Sequence, residues 1–338
     1  MHRSLLAIAL GLLAACGTNR DGTARERAAL REDVAILNAS FDATRELYEE
    51  FNSSFAQRWE ERTGQKVEVR QSHGGSGKQA RAILDGLEAD VATLALAWDI
   101  EALVRGGAVQ SGWQSELPTR SSPFYSTVVF VVRAGNPLQI HDWEDLARPG
   151  VEVITPNPKT SGGARWNYLA AWGWAEREGG EERARDFVTR LYGNVPVLDS
   201  GARGSTTTFV QREIGDVLIA WESEALLAAQ SFAEGEIEIV YPSSSIRADL
   251  SVAVVDRVVD ERGTRRVAQA YLCALYEPWA QEIAARHHYR PRDPDAVRRH
   301  RFEPIDLFGI EEFGGWAEAQ QIHFSDGGIF DQIYVPSR

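Results

Sequence analysis

Cysteine is almost absent: 338 residues contain two, Cys16 and Cys273. Cys273 lies in VAQAYLCALYEP, an apolar helical pattern that predicts a buried small hydrophobe, not the exposed electropositive setting a catalytic thiol requires. Positive charge is scarce as well. Lys and Arg number 36 against 49 Asp and Glu, a net charge of −13. That excess argues against a nucleic-acid partner. It also supplies no global attraction for an anion, so any anion site must work through local dipoles. Long hydrophobic runs are missing too. The longest, Leu5 to Ala15, is too short to span a bilayer. Metal patterns are equally thin: His73 has no second metal-type residue at ligand spacing.

The apolar run follows His2 and Arg3 and ends in Leu13-Ala14-Ala15-Cys16. The layout fits a secretory signal over residues 1–15. Its last four residues resemble the bacterial lipobox, where the chain is cut before a cysteine that carries lipid. On that reading Cys16 is the lipidation site. With Cys16 acylated, no disulfide can form within the mature domain. Residues 16–33, polar and without a strong period, form the tether.

The stretch SHGGSGKQARAILDGLEAD has the look of a phosphate loop and fails its test. A P-loop needs Gly, four residues, then Gly-Lys-Ser/Thr. Here Ser72 stands at the first glycine position, and Gln79 follows Lys78. What survives is a run of small residues that opens a helix, whose first N–H groups and partial positive charge face outward.

That arrangement occurs four times. A short β-rich run ends in a small polar cluster and a helix follows. In ILNASFDATRELYEEFNSSF, Leu47, Phe51, Phe55 and Trp59 recur every four residues. In VEVRQSHGGSGKQARAILDGL the alternating Val67 and Val69 precede a stripe of Ala80, Ile83, Leu84 and Leu87. In VEVITPNPKTSGGARWNYLAAWGW the run through Val151 and Val153 leads into Ser161-Gly162-Gly163. In VPVLDSGARGSTTTFVQRE, Val195 and Val197 precede a turn at Gly201 to Ser205. Further strands read at STVVFVVRAG, DVLIAWE and IEIVYP. Strands alternating with helices predict an α/β fold with largely parallel sheets, whose ligands gather beyond the carboxyl ends of strands. The length suits two lobes. Turn residues near Pro118 to Pro123 and Pro242 to Ser245 mark crossovers. They predict a discontinuous lobe 1 of residues 34–120 plus 247–338, and a lobe 2 of 121–246.

The segments SFDATRELYEEFN, QSHGGSGKQARAILDGLEADVATLALAWD, ITPNPKTSGGARWNYLAAWGWA, LDSGARGSTTTFVQREIGDVLIAWESEALL and YRPRD closely resemble the periplasmic sulfate-binding proteins of ABC importers. The resemblance runs from about Val34 to the C-terminus. It implies the two-lobed periplasmic-binding-protein fold of type II, with mostly parallel sheets flanked by helices and the ligand in the interlobe cleft. It implies a monomer with no cofactor and no catalysis, whose partners are sulfate, with thiosulfate as a second candidate, and the permease subunits of an importer. The lipobox in place of an ordinary cleavage site implies a location in the periplasm or cell envelope, held to a bacterial membrane through lipid only. The resemblance further implies that sulfate receives hydrogen bonds from the backbone N–H of Asp42, from Ser76, Ser161, Gly162 and Gly163, from the backbone N–H of Ala202, and from the indole N–H of Trp221. All seven positions stand here in matching local sequence.

These residue types suit the ion. Sulfate at neutral pH is a dianion with no proton to donate, so its ideal site is all donors. Glycine lets the backbone come close, hydroxyls donate as required, and an indole only donates. Each hydrogen bond to an ion contributes roughly 1.5–3 kcal/mol. The expectations for neighbouring groups are that Lys78, Arg165 and Arg203 turn outward, that His73 is structural or solvent-facing, and that the Asp42 carboxylate caps the following helix. Two alternatives stay open. One is a receptor for another tetrahedral oxyanion such as molybdate. The other is a phosphate or sulfate ester hydrolase with Ser76 or Ser161 as nucleophile and His73 as base.

Overall fold

A computed structural model describes residues 33–231 and 235–334. The signal, Cys16 and the tether up to residue 32 lie outside the described residues.

Strand β1 (Val34–Phe41) leads through a 3-10 turn at Asp42–Thr44 into α1 (Arg45–Thr63). Strand β2 (Val67–Gly74) opens α2 (Ser76–Leu84), and β3 (Val91–Leu94) opens α3 (Ala97–Arg105). These strands lie side by side in the order β3-β1-β2, in which β1 runs parallel to β2 and β3. A later strand, Ser251–Val254, completes the sheet beside β3 and runs antiparallel to it. The stripe expected on α1 is buried: Leu47, Phe51, Phe55 and Trp59 are each at most 3% exposed. Phe51 stacks on Trp279 at 5.3 Å and meets Tyr271 edge-on at 5.0 Å, which ties α1 to helices from the far end of the chain. On α2 the stripe narrows. Ala80 and Ile83 are buried while Leu84 is exposed.

The chain then crosses to a second sheet. Its strands are β4 (Phe124–Arg133), β5 (Val153–Pro156), β6 (Leu198–Asp199), β7 (Val217–Trp221), β8 (Ile237–Val240) and β9 (Ser244–Asp249). Helix α4 (Gly162–Gly193) follows β5 and breaks its helical geometry at Gly179 and Gly180. Helix α5 (Ala202–Thr206) follows β6, and α6 (Glu222–Ser231) follows β7. The mostly parallel expectation holds for β1, β2 and β3 of the first sheet and, in the second, for β5, which is parallel to β6 and β7, and for the strand Asp306–Phe308, which is parallel to β9. Strand β4 is antiparallel to β7, β8 and β9. The strand before it, β3, lies in the other sheet, so no strand–helix–strand crossover within its own sheet forces β4 parallel.

Leu250 alone separates β9 from β10 (Ser251–Val254), which lies in the first sheet. The return crossing therefore falls at residue 250, a few residues past the expected 246, because the polar run at Pro242 to Ser245 enters β9 and does not end the lobe. Helices α7 (Asp256–Arg262), α8 (Arg265–Ala274) and α9 (Pro278–Arg286) complete the first lobe. A third crossing follows. Strand β11 (Arg290–Pro291) pairs with the start of β4, and β12 (Asp306–Phe308) pairs with β9. The C-terminal segment then packs on α4: Trp316 meets Trp166 edge-on at 4.6 Å, and Phe324 meets Tyr168 at 5.1 Å. It thus sits with the second sheet and not with the first, as the expected boundaries had it. The crossings are tied together by Arg292, which donates to Asp249 and to Ser122 Oγ, and by Gln281, which donates to Pro123 O at 2.9 Å. Among the described residues no helix is long and apolar enough to cross a membrane.

Candidate functional site

The four helix-opening turns meet where the two lobes touch. Ser76 is the first residue of α2 and Gly162 the first of α4. A Cβ added to Gly162 would lie 3.1 Å from Ser76 Cβ. Gly163 faces Trp221: its Cβ position is 3.5 Å from the indole Nε1, which donates to Gly163 O at 3.3 Å. Gly163, Ala202 and Trp221 line one small cavity together with Thr206 and Glu224. The Trp221 ring also meets Phe41 at 5.4 Å, immediately before Asp42. Asp42 opens the 3-10 turn that packs against α5. The seven positions thus share one neighbourhood at the interlobe contact, with Trp221 buried at 4% exposure.

Their atoms are not equivalent. Ser161 is the N-cap of α4, and its hydroxyl accepts from Ala164 N at 3.3 Å. Its own backbone N–H donates to Asn157 O at 2.9 Å. The hydroxyl proton is therefore what Ser161 can offer a ligand. The Ser76 hydroxyl donates to Asp99 Oδ2 at 2.5 Å and accepts from Ala95 N at 3.1 Å. The opening N–H groups of α2 and α4 lack intrahelical partners by the geometry of a helix start. Asp42 does not cap α1: its carboxylate stands 3.5 Å from Arg45 Nη2, because Asp42 is itself inside the 3-10 turn and its side chain points outward.

The cations divide. Lys78 is exposed, as expected. Arg165 and Arg203 do not turn outward. The Arg165 side chain is only 14% exposed, donates through Nε to Pro158 O at 3.0 Å and places Nη1 3.9 Å from Asp99 Oδ1 across the lobes. Arg203 reaches Glu46 in the other lobe at 3.3 Å and Glu224 at 2.8 Å. Burial pushes the Asp99 carboxyl up, opposed by Arg165 and by Ser76. Burial likewise pushes Glu224 up, opposed by Arg203. Asp99, Glu46 and Glu224 escaped the reading of the sequence. The signal for Glu224 was there, three residues after Trp221 on the helix that leaves β7.

His73 is half-buried and lies 2.6 Å from Ser40 Oγ through Nδ1 and 2.6 Å from Gln71 Oε1 through Nε2. Burial and nearby Arg45 hold its imidazole below its usual range. The hydroxyls of Ser76 and Ser161 are engaged with Asp99 and Ala164 instead, so the serine–histidine pair that an esterase needs is not formed. Cys273 is partly exposed, less buried than its apolar segment suggested.

Residues 42–290 match the family described as bacterial extracellular solute-binding protein. The chain is 57% identical over 309 residues to the sulfate-binding protein of Escherichia coli (strain K12), covering 90% of this chain and 94% of that one. It is 48% identical over 307 residues to the thiosulfate-binding protein of Pseudomonas aeruginosa, covering 89% of this chain and 92% of that one. Among solved structures, the sulfate-binding protein SubI from Mycobacterium tuberculosis H37Rv superposes with a TM-score of 0.79 at 33% identity, over 86% of this chain and 100% of that one.

Proposed function

The chain belongs to the bacterial extracellular solute-binding proteins, and on that premise we propose that it captures sulfate, and secondarily thiosulfate, for delivery to the permease of an ABC importer, with no bond chemistry of its own. The observation that carries the reading is the meeting of four helix-opening turns and one indole at a single interlobe contact. Helix starts present N–H groups and a partial positive charge, and the indole presents a donor with no acceptor. In the proposed complex the dianion accepts from Asp42 N, Ser76, Ser161, Gly162, Gly163, Ala202 N and the Trp221 indole. The lobes close over it about the crossings near residues 123, 250 and 290. The proposed location is the periplasm or cell envelope, with Cys16 carrying lipid. A monomer suffices, since every proposed donor comes from one chain.

Titration calorimetry of a dialysed domain starting near Val34 tests the reading. Sulfate is expected to bind below millimolar concentration in sulfate-free buffer; no heat in that range refutes the proposal. Phosphate in the same cell measures donor purity. It carries a proton at neutral pH and needs an acceptor, so its affinity is expected to be at least about a hundredfold lower, the cost of one unpaired group on a buried ion. Equal affinity would place a carboxylate against the ligand, and molybdate in the same competition tests the oxyanion alternative.

A further inference from the structure

Lys159 stands two residues before Ser161 and outside the donor set. Its Nζ lies 3.1 Å from Phe324 O, 3.3 Å from Ser325 O and 2.8 Å from the Asp331 carboxylate. An ammonium has three protons, and each meets an oxygen of one short C-terminal segment. Asp326 adds a carboxylate at 3.7 Å. The two carbonyls close the helical stretch Gln320–Phe324, where the peptide dipoles favour a cation. Asp331 also accepts from Gly327 N at 2.9 Å, so the segment folds around the ammonium. With its protons engaged there, Lys159 is not aimed at the anion.

The other end of this side chain is the β5–α4 loop. Asn157 N donates to Asp199 O at 2.8 Å, and Thr160 Oγ1 donates to Ser200 O at 3.0 Å. Those bonds lash the loop to the turn before Ala202. Asn157 Oδ1 accepts from Lys159 N at 2.8 Å, and Asn157 O accepts from Thr160 N and Ser161 N. The C-terminal segment supplies the opposite wall. Besides Lys159 it provides Phe324, whose ring lies 5.7 Å from the guanidinium that Arg165 also uses to hold Pro158 O.

We propose that Lys159 is a positioning residue. Anchored on Phe324, Ser325 and Asp331, it holds the β5–α4 loop in the register that presents Ser161, Gly162 and Gly163 to the ligand, so the C-terminal segment sets anion affinity without touching the anion. The proposal rests on the sulfate reading of this site and extends it to residues near the end of the chain.

Four variants of the domain test it: Lys159→Met, Asp331→Asn, the double variant and Lys159→Arg. Amide hydrogen exchange of residues 157–164 is read without ligand, and sulfate affinity by calorimetry. Lys159→Met is expected to speed exchange in that loop but not in β4, and to weaken sulfate about tenfold, or about 1.4 kcal/mol. Asp331→Asn moves both readouts the same way, the double variant is no worse than Lys159→Met because the groups act as one contact, and Lys159→Arg restores most of the affinity. Unchanged loop exchange, affinity within twofold of wild type, or losses that add in the double variant would each overturn the proposal, whatever happens to thermal stability. Wild-type protein that binds no sulfate removes the sulfate reading alone; the exchange measurement still decides the positioning role.

Discussion

Gly162→Ala separates folding from closure. Gly162 is the first residue of α4, and its backbone lies outside the left-handed region that only glycine favours. Alanine can therefore adopt it, and within a helix alanine gains up to about 1 kcal/mol over glycine. The added Cβ would lie 3.1 Å from Ser76 Cβ, 3.1 Å from Leu96 Cγ and 3.3 Å from Leu96 Cδ1, and all three atoms belong to the other lobe. Neither neighbour yields readily. Ser76 is pinned between Asp99 and Ala95 N, and Leu96 is fully buried. The lobes must part by a few tenths of an ångström. Overpacking of this size costs about 1–3 kcal/mol, and the closed state alone bears it. The expected result is a sulfate Kd raised about 5- to 150-fold, mostly through faster release, with the ligand-free thermal midpoint unchanged or slightly higher. Calorimetry gives the affinity, stopped-flow fluorescence the release rate, and a thermal scan without sulfate the stability. A Kd within twofold of wild type would refute the claim that binding brings Gly162 against Ser76 and Leu96. A ligand-free midpoint that falls as far as the liganded one would refute the claim that the clash belongs to closure.

Trp221→Phe keeps a ring against Phe41 and removes one donor; sulfate affinity should drop by about 10- to 150-fold for the 1.5–3 kcal/mol of one hydrogen bond to an ion, and calorimetry showing no change would remove the indole from the site. His323 reports on the C-terminal segment. It is 4% exposed, its Nδ1 lies 3.0 Å from Tyr168 OH, and burial and Arg185 hold its pKa down at about 4. The unfolded chain takes up this proton near pH 6.5 while the folded chain does not, so stability is lost as pH falls from about 6.5 to 4, reaching about 2–3 kcal/mol at pH 4.5. Urea unfolding at pH 7 and 4.5 is expected to show a smaller pH-dependent loss for His323→Phe than for wild type; equal losses would refute the assignment.

The parts of the fold legible in the sequence were those carried by local pattern. Alternation at Val67 and Val69 and the four-residue stripe from Leu47 to Trp59 each specify an element by its own buried face, and β2 and α1 stand where those patterns fall. The direction of β4 was not legible, because STVVFVVRAG is buried on both faces and reads alike in either direction. Nor was the placement of the C-terminal segment, whose aromatic residues announce that it packs but not on which lobe. At the site, the turns could be read as small residues opening helices. Asp99 and Glu46 could not: they acquire meaning only from arginines that are distant in sequence and adjacent in space, while Glu224 was marked only by its place three residues after Trp221.

Those arginines bear on why uncharged donors are enough. Arg165 and Arg203 follow directly on the turns that carry the proposed donors, and a free guanidinium there would attract any anion, protonated or not. Each is instead held by carboxylates: Arg165 by Asp99, and Arg203 by Glu46 and Glu224. Two cations against three carboxylates leave no surplus positive charge to attract anions indiscriminately. On the proposed reading, what would face the ligand is a set of N–H and O–H dipoles directed by helix starts, which reward an ion that accepts at every oxygen. Two of these pairs, Arg165 with Asp99 and Arg203 with Glu46, join the two lobes, so groups that cancel the charge also lie where closure brings the donors together. Selectivity and closure on this reading are one arrangement, because separating the lobes would at once disperse the donors and unpair Arg165 from Asp99 and Arg203 from Glu46.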